Sequence, residues 1–351
     1  MADIEALPIR SYRAGDESCL VELFAAVFGR HIDEQHWRWK LHAPDSPVPN
    51  VLLATSGDRP VFQYAGILTA FELDGARRNG MVSVDTMTAP DFRRRGLLTR
   101  VATEAYSRWR DAGIEFVFGL PNEQWGSRAA ALGWLPLFPL RRMVRPLRPE
   151  ALLAHRFALP WLSSMKLASS LWNGIFARLP PRDPSLAIQA VARAGPEFDR
   201  LWASCRGNAK FGVVRDRAWV QWRFLDCPSR RYRVRLATRA GEPAGYCAYA
   251  VYDSGSGRRA VIAELAAPDG DAATRRTLLA DVLRELLAED VGHVTSLAVP
   301  GAPIYRDLRA AGFFGGPAFS VQIVPLNPAL PIDELRRAEN WDLSGAAFDV
   351  I

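Results

Sequence analysis

The chain has 351 residues, a length that predicts two domains of ordinary size, each with its own hydrophobic core. Hydrophobic residues make up 49% and charged residues 23%, the balance of a globular protein, and no apolar run reaches the roughly 20 residues of a membrane-spanning helix. The net charge of +6 comes almost entirely from arginine, and the lack of a long basic block argues against nucleic acid as the main partner.

The cysteines and the N-terminus indicate a cytoplasmic protein with no metal site. The four cysteines show no Cys-x-x-Cys spacing and no histidine at metal-ligand intervals, so we expect reduced thiols; they are Cys19, Cys205, Cys227 and Cys247. The first residues also lack the basic-then-apolar pattern of a signal peptide.

The first part of the chain predicts a strand, a helix and an antiparallel strand pair. The strand covers residues 7–13, and Asp16 can begin a helix that runs to about Phe28. Residues 51–55 and 62–71 then alternate as two strands joined by a turn.

A strand over residues 82–88, a basic turn and a helix from Leu97 follow, and this stretch predicts an anion site. The first amides of a helix have no internal partner, and the helix dipole favours negative charge there. Gly96 allows close backbone approach, and Arg93–Arg95 supply donors suited to phosphate oxygens. The alternative is a solvated arginine run at an ordinary strand–helix turn.

Residues 114–120 predict the next strand, and a short helix ends at Leu132-Gly133-Trp134. Beyond it, residues 157–179 mix large apolar side chains with polar ones between prolines, which predicts an amphipathic linker helix. A helix packed across two domains is the favoured interpretation, and a membrane-surface anchor is the other.

The second half of the chain repeats the first. Trp219–Phe224 resembles residues 35–39, and Leu265–Asp269 resembles Met87–Asp91, in the same order along the chain. The second copy has Gly270-Asp271 where the first has its arginines, and carboxylates there would repel an anion. We therefore expect only the first copy to hold an anionic cofactor.

The hexapeptide Arg93-Arg94-Arg95-Gly96-Leu97-Leu98 resembles the Arg/Gln-x-x-Gly-x-Gly/Ala signature of the GNAT acyltransferases, with Leu98 in place of the usual Gly or Ala. Phe118–Asn122, followed by Leu-Gly-Trp, resembles the family's second signature. The resemblance implies that acetyl-CoA or another acyl-CoA binds as co-substrate. The residues that it implies in binding are Met87, Thr88, Arg93, Arg94, Arg95, Gly96, Leu97, Leu98, Thr99, Asn122 and Trp125.

The resemblance also implies the fold class: α/β (mixed α+β), with two GNAT-like domains in tandem, each a mixed, mostly antiparallel sheet flanked by helices. We place the N-terminal domain at 1–145, the linker at 146–185, the degenerate second domain at 186–330 and a C-terminal tail at 331–351.

GNAT enzymes transfer the acyl group by direct attack of an amine, so the resemblance implies a base, an oxyanion donor and an acid. The backbone amide of Met87 or Thr88 matches the oxyanion donor. Asp85 is the candidate base, although a strand aspartate that binds arginine or caps a loop is equally expected. The family's usual acid, a tyrosine, falls at Ala129. Tyr305 of the second domain, Tyr106 or water is left to protonate the thiolate.

The predicted function is an acyl-CoA-dependent N-acyltransferase, first of all an N-acetyltransferase, that acts on a primary amine of a small metabolite or amino sugar. The alternatives are a non-catalytic acyl-CoA sensor or scaffold, and a transferase for a protein N-terminus or a lipid-linked saccharide. The sequence leaves the acceptor, the acyl chain length and the oligomeric state open.

Overall fold

The computed structural model describes residues 7–41, 46–121, 125, 127–150, 171, 174, 179–255 and 257–348. The predicted linker helix at 157–179 lies almost wholly outside these residues, and Asn122 lies outside them too. Within the described part of the chain, no helix combines the length and the apolar composition needed to cross a bilayer.

Strands and helices alternate along the chain in two similar series. The strands are β1 (Ile9–Ser11), β2 (Val51–Ser56), β3 (Arg59–Leu73), β4 (Ala76–Thr88), β5 (Phe116–Gly119), β6 (Leu135–Pro146), β7 (Leu186–Val191), β8 (Phe211–Val213), β9 (Tyr232–Arg239), β10 (Glu242–Ser254), β11 (Gly257–Ala266), β12 (His293–Ala298), β13 (Phe314–Pro325) and β14 (Trp341–Asp342). The helices are α1 (Glu17–Phe28), α2 (Glu34–Leu41), α3 (Leu97–Asp111), α4 (Ser127–Ala131), α5 (Glu197–Cys205), α6 (Arg217–Val220), α7 (Ala272–Ala288), α8 (Pro303–Ala310) and α9 (Ile332–Leu335).

The chain forms two compact units, each built from two stretches of sequence. The first unit comprises Met1–Phe138 and Ser320–Arg337, and the second comprises Pro139–Phe319 and Ala338–Ile351. The sheet of the first unit has the order β1-β2-β3-β4-β5, followed by the end of β13. Its neighbours are antiparallel except for the parallel pair of β4 and β5.

The sheet of the second unit has the order β7-β9-β10-β11-β12-β6. Again one pair, β11 with β12, is parallel, and the other neighbours are antiparallel. The same strand order with the same single parallel pair recurs in both units, so the chain contains one mixed α/β fold twice, as its sequence predicts.

Two strands are exchanged between the repeats. β6 follows the first repeat in the chain, yet it pairs with β12 of the second unit, where Met143 lies opposite Ser296. β13 follows the second repeat, yet its end pairs with β5 of the first unit, where Ile323 lies opposite Phe118. The predicted limits at residues 145 and 330 follow chain order. The compact units do not, because each exchanged strand completes the sheet of the other repeat.

Helix α3 covers the core of the first unit. Val101, Ala105 and Trp109 are fully buried and recur at helical spacing, so one face of the helix packs on the sheet. The Trp109 indole also donates to the Pro49 carbonyl at 2.9 Å, which satisfies its buried N–H. The predicted helix is therefore confirmed, and it places its N-terminus beside the end of β4.

Candidate functional site

The first unit has an opening between β4 and β5, which we call the first wedge. It is bordered by the edge of β4 that faces β5, from Ser83 to Thr88. The parallel pairing ends where Val82 lies opposite Phe118, and β5 ends at Gly119 while β4 continues to Thr88. Among the described residues no further pairing of β4 with β5 follows. Backbone groups of β4 that point into the wedge can therefore bind a ligand as an added strand would.

The hydrogen bonds of β4 show which residues point into the wedge. The Ala89 amide donates to the Val61 carbonyl at 2.9 Å, so the backbone of Ala89 is turned toward β3. In an antiparallel pair, successive residues turn their backbone groups to opposite sides. Thr88 therefore faces the wedge, and the Arg93 side chain reaches its carbonyl at 3.4 Å. Of the two predicted oxyanion donors, Thr88 is the one whose backbone groups point into the wedge. Met87 is fully buried.

A β-bulge interrupts β4 at Asp85. Between the pairs Val84–Ala65 and Met87–Gln63, β4 has one more residue than β3. Asp85 has a φ of 44°, a left-handed backbone that aspartate tolerates better than most residues. Its carbonyl accepts from the Gln63 side chain at 3.0 Å, which replaces a ladder hydrogen bond. The bulge breaks the simple alternation that the sequence predicts around Asp85.

Asp85 forms a buried ion pair with Lys40 of α2. The ammonium nitrogen lies 2.6 Å from Oδ2, and the two side chains are only 4% and 6% exposed. The aspartate is thus withdrawn from solvent and paired with an ammonium group. No sequence motif marks Lys40 as part of the site. Its one signal in the sequence is its residue type, because the chain has only three lysines and otherwise uses arginine.

The basic turn after β4 combines exposed charge with left-handed backbone. Arg94 has a φ of 60° and Gly96 a φ of 74°, and no atom lies within 4 Å of a Cβ placed on Gly96. Arg93 and Arg94 are exposed, and Arg95 lies over the Phe92 ring at 5.2 Å. The space beside Gly96 is therefore open to a ligand and lined by arginine.

The N-terminus of α3 has no side-chain cap and no acidic residue in its first turn. The amides of Leu97, Leu98 and Thr99 consequently begin the helix without a carboxylate nearby, as an anion site requires. Leu98 is half-buried against the core rather than placed over this opening.

The corresponding helix of the second unit, α7, begins differently. The Asp271 carboxylate caps it by accepting from the Thr274 amide at 3.0 Å, and Arg239 pairs with that carboxylate at 2.8 Å. The chain's own carboxylate thus already occupies the anion position of this helix.

The second unit also fills its wedge with the C-terminal tail, residues 341–348. The pairing of β11 with β12 ends where Ile262 lies opposite Ser296, and Ser344 of the tail then bridges to Ala298 at the end of β12. The Ser344 hydroxyl donates to Glu264 of β11 at 2.7 Å. The wedge in the second unit is therefore closed by protein.

A chain of hydroxyl groups lies in the core beneath the first wedge. The Tyr64 and Tyr106 hydroxyls are 2.9 Å apart, and the Trp134 indole donates to Tyr106 at 3.1 Å. Ser83, at the start of the wedge, donates to Tyr64 at 3.4 Å. Burial raises the pKa of Tyr106 to about 12 and also raises the pKa of Tyr64 well above its usual value, so both phenols stay neutral near pH 7.

The remaining predicted residues are placed as follows. Ala129, where the family has its tyrosine, is buried in the same core as Tyr106. Trp125 packs on Trp134 with ring centroids 5.7 Å apart. Tyr305 lies on α8 and packs on the core of the second unit, so its role as acid stays a prediction. In the described ranges no cluster of three His, Cys, Asp or Glu side chains could hold a metal ion.

Residues 8–134 match the family model for the acetyltransferase (GNAT) domain. This stretch of the chain is therefore similar to a GNAT acetyltransferase domain. The match covers the first wedge, the bulge and the basic turn, so it spans the candidate site. A comparison with curated proteins finds no match.

Solved structures resemble the fold of this chain over most of its length. A probable N-acyltransferase from Enterococcus faecalis V583 aligns with a TM-score of 0.65 at 11% identity, over 91% of this chain and 73% of the other. A GCN5-related N-acetyltransferase from Anabaena variabilis aligns with a TM-score of 0.65 at 12% identity, over 92% and 73%. A third, from Kribbella flavida, aligns with a TM-score of 0.61 at 16% identity, over 92% and 72%. At these identities the likeness shows the fold, and it confirms the predicted fold class.

Proposed function

We propose that the chain is an acyl-CoA-dependent N-acyltransferase, first of all an N-acetyltransferase, whose first unit binds the co-substrate and does the chemistry. The observation that carries the proposal is the contrast between the two units. The first wedge leads to an uncapped helix beside three arginines, whereas the second has a carboxylate cap and a tail in its wedge. Among the residues that the structure describes, the open strand edge and the uncapped helix beside arginines occur together in the first unit.

The residues of the first wedge, the basic turn and the start of α3 fit a long anionic thioester. The amides of Leu97–Thr99, with Arg93 and Arg94, would hold a pyrophosphate, because helix N-termini and guanidinium groups both favour phosphate oxygens. The outward backbone of Thr88 would pair with an amide of the pantetheine arm or donate to the carbonyl oxygen of the thioester. The co-substrate supplies an activated acyl group.

Asp85 and its bulge lie on the strand that forms the wedge. We propose that Asp85 receives the proton of the acceptor amine, and that Lys40 fixes its carboxylate in place. The carboxylate is also held in an ion pair with Lys40, an arrangement that fits one alternative as well, an acyl-CoA-binding sensor without turnover.

The thiolate that leaves after acyl transfer needs a proton. We propose Tyr106 as its source, because Ser83 stands at the start of the wedge. In this step the Ser83 hydroxyl turns from Tyr64 and gives its proton to the sulfur, Tyr64 gives a proton to Ser83, and Tyr106 gives one to Tyr64. The Tyr106 phenolate is then reprotonated through solvent, which takes up the amine proton held by Asp85. Tyr305 remains the second candidate. The acceptor we propose is the primary amine of a small metabolite or amino sugar, in the cytoplasm; a protein N-terminus or a lipid-linked saccharide is the other class.

The proposal is tested by calorimetric titration of acetyl-CoA into the wild type, Gly96→Glu and Gly57→Glu. Gly57 is the matched control because it also has a positive φ, 59°, with nothing within 4 Å of its Cβ position. Both variants carry similar backbone strain, about 1–2 kcal/mol, and the same added charge. We expect micromolar binding in the wild type and the Gly57 variant and none in the Gly96 variant. Equal loss in both variants, or no binding by the wild type, would refute it.

Turnover is tested separately, with a panel of amines and detection of free thiol. We expect release of thiol that depends on the amine in the wild type. Asp85→Asn should abolish it while leaving acetyl-CoA affinity nearly unchanged. Binding without turnover on any amine would favour the sensor.

A further inference from the structure

The second unit contains a basic cavity that the acyltransferase site does not use. It measures about 180 Å³ and is lined by Arg142 of β6, Arg259 of β11, His293 of β12 and Arg230, among others. Arg259 and His293 are direct neighbours in the parallel pair of β11 and β12. The cavity therefore lies on one face of the sheet, where residues two apart on each strand share a side.

The opposite face of the same strands is the core beneath α7 and α8. Ala260, Ile262 and Val294 alternate with the cavity residues and are fully buried in that core. The basic side chains therefore do not belong to that core. Because side chains alternate along each strand, the strand pairing that buries the core residues on one face places the basic side chains on the other.

The charge in this cavity is of one sign. Among the described residues that line it, none is an aspartate or a glutamate. Burial and the nearby Arg259 both lower the pKa of His293, which reports a positive field inside the cavity. Like charges gathered in a recess repel one another, and an anion between them would relieve that repulsion.

Two of the guanidinium groups are held by aromatic rings. Arg142 lies over Phe319 at 5.3 Å, and Arg230 lies over Tyr252 at 4.9 Å. Stacking on a ring leaves the N–H groups at the rim of the guanidinium plane free to donate. The arginines are thus oriented before any ligand arrives, which lowers the entropy cost of binding.

We propose that this cavity binds the phosphoryl group of a small molecule, held by the stacked guanidinium groups of Arg142 and Arg230. Two guanidinium groups offer more donors than the two oxygens of a carboxylate can accept, whereas a phosphoryl group presents three oxygens. The Thr295 residue of β12, which also lines the cavity and shares the face of His293, would add a hydroxyl donor. The cavity has room for a small group attached to the phosphate.

The test uses the full-length protein and the histidine NMR signals, with His293→Gln to assign the resonance of His293. Inorganic phosphate and a phosphate monoester, glycerol phosphate, are titrated in separate arms, with acetate as the carboxylate arm. A local signal is needed because phosphate is also expected at the α3 N-terminus of the first unit. We expect saturable shifts of His293 with phosphate or its ester, and a rise of its pKa on binding.

Arg142→Gln and Arg230→Gln should each weaken phosphate binding about tenfold or more, as the loss of a charge-assisted hydrogen bond predicts. Arg258→Gln is the control, because Arg258 is exposed on β11 and pairs with Asp253 outside the cavity. Tighter binding of the ester than of inorganic phosphate identifies a phosphorylated metabolite, and the reverse identifies free phosphate. No response of His293, equal loss in all three variants, or acetate binding as tight as phosphate overturns the proposal. Gly96→Glu should leave the His293 response intact, which keeps this result independent of the acyltransferase site.

Discussion

The buried pair of Lys40 and Asp85 allows structure and catalysis to be separated by a double-mutant cycle. Lys40→Met keeps the unbranched chain and removes the charge. Asp85→Asn keeps the shape, and asparagine tolerates the left-handed backbone of the bulge about as well as aspartate does. Each single change leaves a charge without its partner where both side chains are at most 6% exposed. Loss of one partner of such a pair costs about 3–5 kcal/mol.

The double variant should be more stable than Lys40→Met, because it also removes the carboxylate that Lys40→Met deprives of its ammonium group. The measurement is amide hydrogen exchange in β4, which reports the free energy of local opening without assuming that both units unfold together. Turnover and acetyl-CoA affinity are measured on the same variants. If Asp85 is the base, the Asp85→Asn variant and the double variant both lose turnover, while Lys40→Met keeps a measurable rate. Additive stability losses would show that the pair is not coupled, and full activity of Asp85→Asn would refute the role of the carboxylate.

Three further predictions concern other parts of the two units. Tyr106→Phe should lower kcat about 10–100-fold with little change in the KM for acetyl-CoA, whereas Tyr305→Phe should leave both unchanged. The reverse result would indicate that Tyr305 of the second unit is the acid. The pKa of Glu17 is lowered from 4.5 to about 2, because hydrogen bonds from Tyr12 and Arg38 outweigh desolvation. Glu17 therefore contributes about 3 kcal/mol to the free energy of unfolding above pH 4.5, and this contribution is lost as the pH falls toward 2. In the Glu17→Gln variant, the free energy of unfolding of the first unit should depend less on pH across that range. Deletion of residues 341–351 should increase hydrogen exchange throughout β11, because Trp341 and Phe348 are buried in the second unit, and unchanged exchange would show that the tail does not support this strand.

The sequence was sufficient to predict the local features of the site. Helix α3 begins at Leu97 with Gly96 in a left-handed conformation at its N-cap, because a helical apolar pattern and a glycine before it are both local signals. The absence of the anion turn in the second copy was also readable, since Asp271 stands at the start of α7 and caps it. These features depend on neighbours within a few residues along the chain.

The bulge and the ion pair could not be predicted in the same way. Alternation along 82–88 gives no information on register, and only the pairing with β3 shows that β4 has an extra residue at Asp85. One signal was present: aspartate is unfavourable inside a strand and tolerates the left-handed region. β11 also has a register shift beside a buried acidic residue, Glu264. Its partner Arg215, like Lys40, is distant in sequence and follows from no periodicity.

The strand exchange gives a physical reason why the second copy persists although its wedge is closed. β13 lies beyond the second repeat in the chain, yet it covers the edge of β5 and places Val324 and Leu326 in the core of the first unit. Without it, β5 would be an open edge, and apolar residues of the first core would meet water. In return, β6 places Met143 in the core of the second unit and pairs along β12. Neither repeat can therefore complete its sheet from its own sequence, so the first wedge requires the second half of the chain for stability even if all acyl transfer takes place in the first unit.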